Sequence, residues 1–138
     1  MSERAHEWSR GEVVALLQRV DLFDGLPGDD LNSIAAIVGG RTVQADERLF
    51  QEGDPGDAFY IVFRGAVEIC KARADGTEEK LAVRRRGDGF GEMALLDDVP
   101  RSATARATEE TQLVSVARDD FQQQLGGDSL AFRMMRAL

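Results

Sequence analysis

Hydrophobic residues first recur along the chain at helical spacing. Val13, Leu16, Leu17 and Val20 fall on one face of a helix. Ser9 and Glu12 stand at its start, where hydroxyl and carboxylate each satisfy the other's backbone amide as a capping box, and Trp8 is placed to staple onto Val13. This helix is expected to end near Val20. The connection Leu22-Phe23-Asp24-Gly25-Leu26-Pro27 leads to a second helix, which Pro27 opens at its first turn. Leu31, Ile34, Ala35 and Val38 form its apolar face, and Gly39-Gly40 end it. From Arg41 the period changes to alternation. Val43, Leu49, Phe50, Phe59, Ile61, Phe63, Val67, Ile69, Leu81 and Val83 lie in short segments separated by turn residues. Gly53-Asp54-Pro55-Gly56-Asp57 has turn chemistry, Gly65 parts two strands, and Ala74-Asp75-Gly76-Thr77 signals a hairpin. Two more strands, at 104–107 and 113–117, flank Glu109-Glu110.

The pattern then turns helical again. Phe121 and Leu125 mark a short helix stopped by Gly126-Gly127, and Asp128 or Ser129 caps a last one carrying Leu130, Met134, Met135 and Leu138. The sequence stops in mid-pattern on an apolar residue, so this helix is expected to continue; the other reading is a natural end packed on the strands. The fold class that follows is α+β, mainly β: a small antiparallel, jelly-roll-like β-roll flanked by helices at both ends. It reads as one domain, with a helical lead-in at 1–40, the roll at 41–117 and closing helices at 118–138.

Composition narrows the function more than the fold. A chain of 138 residues, 43% hydrophobic and 30% charged, has room for one domain with a core. No apolar run approaches a membrane span, the polar start is not a secretory signal, and the single Cys70 excludes an internal disulfide and fits a reducing cytoplasm. The net charge of −8 disfavours nucleic acid and anionic membranes as partners. An anionic ligand therefore needs a local positive pocket.

The stretch 87–107 supplies one. Gly87, Gly89 and Gly91 precede a short apolar run, Met93, Ala94, Leu95 and Leu96, whose first amides lack helical partners and suit an anion. Pro100 stops the turn, and Arg101-Ser102 adds a planar cation and a hydroxyl, groups that grip phosphate. Glu92 would repel a phosphate directly but suits a sugar hydroxyl beside one. Phosphate donors with a hydroxyl acceptor, and no metal ligands, suggest a nucleotide held by its ribose-phosphate.

Phe90-Gly91-Glu92-Met93-Ala94-Leu95-Leu96 followed by Pro100-Arg101-Ser102-Ala103-Thr104 resembles the phosphate-binding cassette of cyclic nucleotide-binding domains, with Met93 for the usual leucine as the one departure. The lead-in Leu22-Phe23-Asp24-Gly25-Leu26-Pro27 and the turn and strand residues from Glu52 to Gly65 extend the resemblance over nearly the whole chain. It implies a sensor for cAMP or cGMP that regulates a fused or associated effector, with homodimerisation possible, and no enzymatic activity or further cofactor. Glu92 then accepts from the ribose 2′-hydroxyl, and Arg101 pairs with the exocyclic phosphate oxygens. Ser102 donates hydroxyl and amide, and Gly91 and Ala94 give backbone amides. Phe90, Met93 and Ala103 complete the cassette. Val83 lies against the purine or, equally, in the core. Glu68 matches the position from which the family places an acid near the arginine, its alternative being an exposed strand carboxylate. Phe132, Met135 or Arg136 is placed to cap the base. Leu95 shifts on binding, and the helices around Phe121 repack over the pocket as a lid.

Three rivals are weaker. A metal-dependent barrel enzyme needs several histidines, and the chain has only His6; no Ser-His-Asp or Cys-His set can be assembled. A transcription regulator of the catabolite-activator type carries a DNA-binding motif after the sensor; none is expected within these 138 residues, whose acidic charge argues against DNA contact, so the chain would be the sensor half of such a regulator. A ligand-free interaction module on the same fold is disfavoured by the intact pair Glu92 and Arg101.

Overall fold

The computed structural model describes residues 8–96 and 98–125, with the backbone alone at positions 96 and 125. The first helix, α1 (Arg10–Gln18), is capped as its sequence predicts: the Ser9 hydroxyl accepts from the Glu12 amide at 3.1 Å, and the Glu12 carboxylate accepts from the Ser9 amide at 2.8 Å. Such a cap contributes about 1 kcal/mol. The helix stops short of Val20, which is buried instead at the entry to a 3₁₀ turn, Asp21–Phe23. Pro27 is the N-cap of α2 (Gly28–Ala35) rather than its first helical residue. That helix also closes earlier than its apolar pattern suggests. Gly39 and Gly40 do not end it but begin the first strand, where a Cβ on Gly39 would come within 2.9 Å of the Ser115 hydroxyl.

Eight strands follow: β1 (Gly39–Val43), β2 (Arg48–Phe50), β3 (Ala58–Arg64), β4 (Ala66–Ala72), β5 (Glu78–Arg85), β6 (Gly89–Phe90), β7 (Thr104–Ala107) and β8 (Thr111–Ala117). They form two four-stranded antiparallel sheets, ordered β1-β8-β3-β6 and β2-β7-β4-β5. A short helix, α3 (Met93–Leu96), interrupts the strands after β6, and α4 (Arg118–Leu125) follows β8. The protein is thus an α+β, mainly β molecule built on an antiparallel β-roll.

β3 is the common wall of two cores. Tyr60 and Val62 face the roll interior with Val43, Leu49, Val67, Phe90 and Leu113. Phe59, Ile61 and Phe63 point the other way, onto a layer formed by Leu16, Leu17, Phe23, Leu31 and Ile34 of the lead-in together with Leu95 and Phe121.

 

Leu95 and Phe121 are both fully buried in that second, helix-side core, where Phe23 meets Phe59 edge-on at 5.7 Å. Burying a large apolar side chain is worth roughly 1.5–3 kcal/mol. Burial on both faces explains why β3 reads as a continuous apolar run, Ala58-Phe-Tyr-Ile-Val-Phe, rather than an alternating one. The ring of Trp8 packs on Phe63 at 4.8 Å.

β5 departs from its expected alternation. Its register with β4 slips between Ile69 and Cys70, which face Ala82 and Lys80, so Leu81 is the extra residue of a bulge and is 50% exposed. Beyond the bulge Val83 pairs with Glu68, while Arg84 pairs with Val67. Paired residues share a face, so Arg84 belongs to the interior side of the sheet and Val83 to the other. Among the described residues no helix is long and apolar enough to cross a membrane.

Candidate functional site

The stretch singled out by its glycines is anchored at both ends. β6 pairs with β3, Tyr60 opposite Phe90, and their rings stack with centroids 5.8 Å apart. Phe50 adds a third ring 6.1 Å from Phe90. At the far end the chain is clasped to the 53–57 turn: the Arg101 amide donates to the Asp54 carbonyl at 2.7 Å, and the Gly53 amide donates to the Arg101 carbonyl at 2.8 Å. Pro55 and Pro100 form a bridge beside this clasp.

Between the anchors the chain turns at Gly91, whose φ of 80° favours glycine; a Cβ there would come within 2.6 Å of Arg101 Nη1. At Gly56 a Cβ would meet the Val99 carbonyl at 2.9 Å. Gly91 thus leaves the guanidinium its place, and Gly56 leaves room for the chain at Val99.

Arg101 is only 7% exposed. Its Nη2 donates to the Ala58 carbonyl at 2.8 Å, and its Cζ lies 4.0 Å from the centre of the Phe50 ring. Among the described residues the carboxylate within ion-pair distance is Asp57, 3.8 Å away, its side chain 81% exposed. Arg101 Nε is buried without a hydrogen-bond partner. Burial lowers the arginine's pKa, opposed by Tyr60, Asp57 and Asp54, and burial raises that of Tyr60. A guanidinium taken out of water with so little countercharge is costly unless an anion joins it.

Two adjoining hollows meet at this arginine. One, of about 180 Å³, is lined by Gly91, Glu92, Met93, Ala94, Arg101 and Ser102, with Gly56, Val99 and Pro100 completing its rim. The other, of about 200 Å³, is lined by Phe50, Ile69, Arg84, Phe90, Gly91, Glu92, Arg101, Ser102 and Ala103. Glu92 is exposed at the junction. A larger hollow of about 600 Å³ reaches Glu92 from outside the roll, between the 3₁₀ turn and Gly87, but Arg101 does not line it, and Asp21, Asp88 and Glu92 there oppose Arg19 and Arg84.

Most of the residues expected at the site therefore come together, and three expectations need correction. Val83 does not line either hollow; the bulge at Leu81 sets the strand's phase so that Arg84 does. Glu68 is not beside Arg101. It accepts from Arg106 Nη2 at 2.5 Å and pairs with Lys80 at 3.2 Å, on the face opposite Val67 and Ile69. Those bonds, Lys80 first, hold its carboxyl below the ordinary range against the effect of burial. The acid near Arg101 is Asp57. Finally, the Ala94 amide donates to the Gly91 carbonyl at 3.1 Å and so closes the first turn of α3 rather than standing open.

Leu95 and Phe121 do share one core, and the Gln122 side-chain amide donates to the Leu95 carbonyl at 3.3 Å, tying α4 to α3. Phe132, Met135 and Arg136, expected near the base, lie outside the described residues. Sequence reasoning missed Phe50, Tyr60, Asp57 and Arg84 as site residues. Phe50 and Tyr60 are brought in by strand pairing and Asp57 by the turn that precedes β3; Arg84, next to Val83, lay within one residue of a position already chosen.

The family model described as "Cyclic nucleotide-binding domain" matches residues 40–128. A cAMP-dependent protein kinase regulatory subunit of Emericella nidulans is 41% identical over 112 residues, covering 81% of this chain and 26% of that protein. The cyclic AMP receptor protein of Thermus thermophilus is 36% identical over 100 residues, 72% of this chain and 46% of that protein. The chain thus spans about a quarter of the fungal regulatory subunit and under half of the bacterial receptor. Among solved structures, the N-terminal domain of a transcriptional regulator from Streptomyces coelicolor A3(2) superposes with a TM-score of 0.80 at 33% identity, covering 88% of this chain and 87% of that one. The regulatory domain of Toxoplasma gondii PKA, crystallised with cAMP, gives 0.79 at 32% identity over 86% of this chain and 46% of that one. With a clasped cassette, a buried arginine short of countercharge and a family model matched along most of its length, this chain belongs to the cyclic nucleotide-binding domain family.

Proposed function

We propose that the chain is a sensor module that binds a 3′,5′-cyclic nucleotide and passes its occupancy to a fused or associated effector, without catalysing a reaction itself. The observation that carries this reading is Arg101: buried, oriented by the Ala58 carbonyl, and facing a hollow it shares with Glu92 and Ser102. The ligand's phosphodiester supplies the missing countercharge. Its 2′-hydroxyl donates to Glu92, and the Ser102 hydroxyl and amide complete the phosphate's hydrogen bonds.

Switching follows from differential binding. A ligand moves a protein only towards the state it binds better. Phosphate draws α3 inward; Leu95, wedged in the same core as Phe121, then repacks α4, whose Gln122 already holds the Leu95 carbonyl. The segment 118–138 acts as the lid, 41–117 as the ligand-binding roll and 1–40 as the lead-in towards the effector.

Thermal melting with cAMP and cGMP tests the site. Ligand at about 100 times its dissociation constant adds roughly 2.7 kcal/mol, a clear rise in Tm for the wild type and none for Arg101→Ala. Equal responses of the two proteins would remove Arg101 from the site. Hydrogen–deuterium exchange tests the lid: amides of α4 (Arg118–Leu125) gain protection on binding, and unchanged exchange there would dismiss the switch while leaving the site in place.

A further inference from the structure

We infer that Met93 is a site of reversible oxidation: a peroxide converts its thioether to the sulfoxide, and the sulfoxide weakens capture of the nucleotide. The inference rests on the ribose-phosphate reading given above. Met93 opens α3. Its neighbours Ala94 and Leu95 are 3% and 0% exposed, but Met93 is 51% exposed. With Glu92 it is one of the two residues that line both the hollow at Arg101 and Ser102 and the larger one outside the roll. An oxidant as small as hydrogen peroxide therefore reaches this thioether from solvent, at the lip of the hollow assigned to the phosphate.

The other sulfur among the described residues is shielded. Cys70 is 4% exposed, and its Sγ donates to the Glu68 carboxylate at 3.7 Å. Burial first, and then the Glu68 charge, push its thiol's pKa up. Peroxide attacks the thiolate rather than the thiol, so Cys70 is a poor target. A thioether has no proton to lose and needs no such activation.

In the reaction a lone pair of the sulfur attacks one peroxide oxygen. The S–O bond forms as the O–O bond breaks, and the sulfur is oxidised by two electrons. The second oxygen leaves as hydroxide and takes the proton from the first, giving sulfoxide and water. The new oxygen is a strong acceptor with no proton to give, and so is a phosphodiester. At the lip of the shared hollow it either faces the phosphate acceptor to acceptor, or accepts from Ser102 or Arg101 and takes a donor the phosphate needs. Both arrangements weaken binding by about three- to ten-fold, the scale of one hydrogen bond. Methionine sulfoxide reductases restore the thioether, so the sensor gains an oxidant as a second input at the same site.

Calorimetric titration with cAMP and cGMP, before and after hydrogen peroxide, tests it on the wild type and Met93→Leu, with peptide mass spectrometry reading each methionine. Leucine keeps the volume without the sulfur, and the variant retains Cys70 and the other three methionines. Wild type oxidised at Met93 is expected to lose about three- to ten-fold in affinity at an unchanged Tm, and to regain it after treatment with methionine sulfoxide reductases. Met93→Leu, measured against its own starting affinity, should keep that affinity through the same treatment. A Met93 that stays reduced while free methionine in the same tube is oxidised would overturn the inference. So would a sulfoxide at Met93 with affinity unchanged, an equal loss in Met93→Leu, or a loss that comes with a fall of several degrees in Tm. In each of those results the ribose-phosphate reading stands. Untreated wild type that binds neither nucleotide removes that reading, and this one with it.

Discussion

Arg101 and Arg106 lie on one continuous stretch of chain, yet their surroundings are opposite. Arg106, on the outward side of β7, is held by Glu68 at 2.5 Å and Asp46 at 2.9 Å, and the Glu68 hydrogen bond raises its pKa. Arg101 is buried at the mouth of the roll, with a carbonyl, an aromatic face and, among the described residues, one solvent-exposed carboxylate 3.8 Å away, and burial lowers its pKa. A cation whose acids come from the same chain belongs to the scaffold. A buried cation whose described acid is a single exposed one at 3.8 Å is where the proposed anion would complete the structure. The residue type is the same in both places; the accounting of partners separates their roles.

The strongest way to break that distinction is Arg101→Met. It keeps much of the side-chain volume and removes the charge. Binding of cyclic nucleotide should weaken by roughly 2–5 kcal/mol, at least thirty-fold, as when one member of a buried charge pair is lost. The Tm of the empty protein should stay level or rise, because an underpaired buried charge has been replaced by an apolar chain. A Tm several degrees lower would place Arg101 with Arg106 in the scaffold. Calorimetry and melting on the same preparation separate the outcomes.

A smaller effect sharpens the site. Glu92→Gln should cost about 1–2 kcal/mol of binding, near ten-fold, since a hydrogen bond to a carboxylate becomes one to a neutral amide. Wild type should lose a similar amount with a 2′-deoxy cyclic nucleotide, and the variant should lose much less. Losses that simply add would mean Glu92 does not touch the 2′-hydroxyl.

The smallest effect belongs to the scaffold arginine. Glu68→Gln should lower stability by about 1 kcal/mol or less and leave binding unchanged, because the pair is near the surface. The folded-state carboxyl of Glu68 lies below its ordinary 4.5. Its contribution is therefore complete above that value and lost as pH falls through the folded one. Melting curves of both proteins from neutral to acid pH should converge at the acid end; a constant gap would assign the effect to something other than this carboxylate.

Local chemistry was legible in the sequence wherever neighbours in the chain decide it. The capping box, the turns and the cassette from Phe90 to Ala103 all form from contiguous residues. What the sequence concealed depends on pairing between distant strands. Nothing near Val83 announces the bulge at Leu81, and one added residue turned Arg84 inward in its place. Glu68 was matched to the wrong arginine because only the β4–β7 register shows that it faces Arg106. Helix ends were misjudged for a related reason: Gly39 and Gly40 look like a stop signal, but the close passage of β8 beside Gly39 makes them strand. The phase of β3 was hidden because both of its faces are covered.

The clasp between Arg101 and the 53–54 turn has one more consequence. Like the fixed jaw of a vice, it denies the cation any retreat when an anion arrives. On the switch proposed above, the travel that capture produces is then made by the opposite jaw, the single turn that carries Leu95, which shares a core with Phe121. Under that proposal, which jaw is bolted down sets the direction in which the signal leaves.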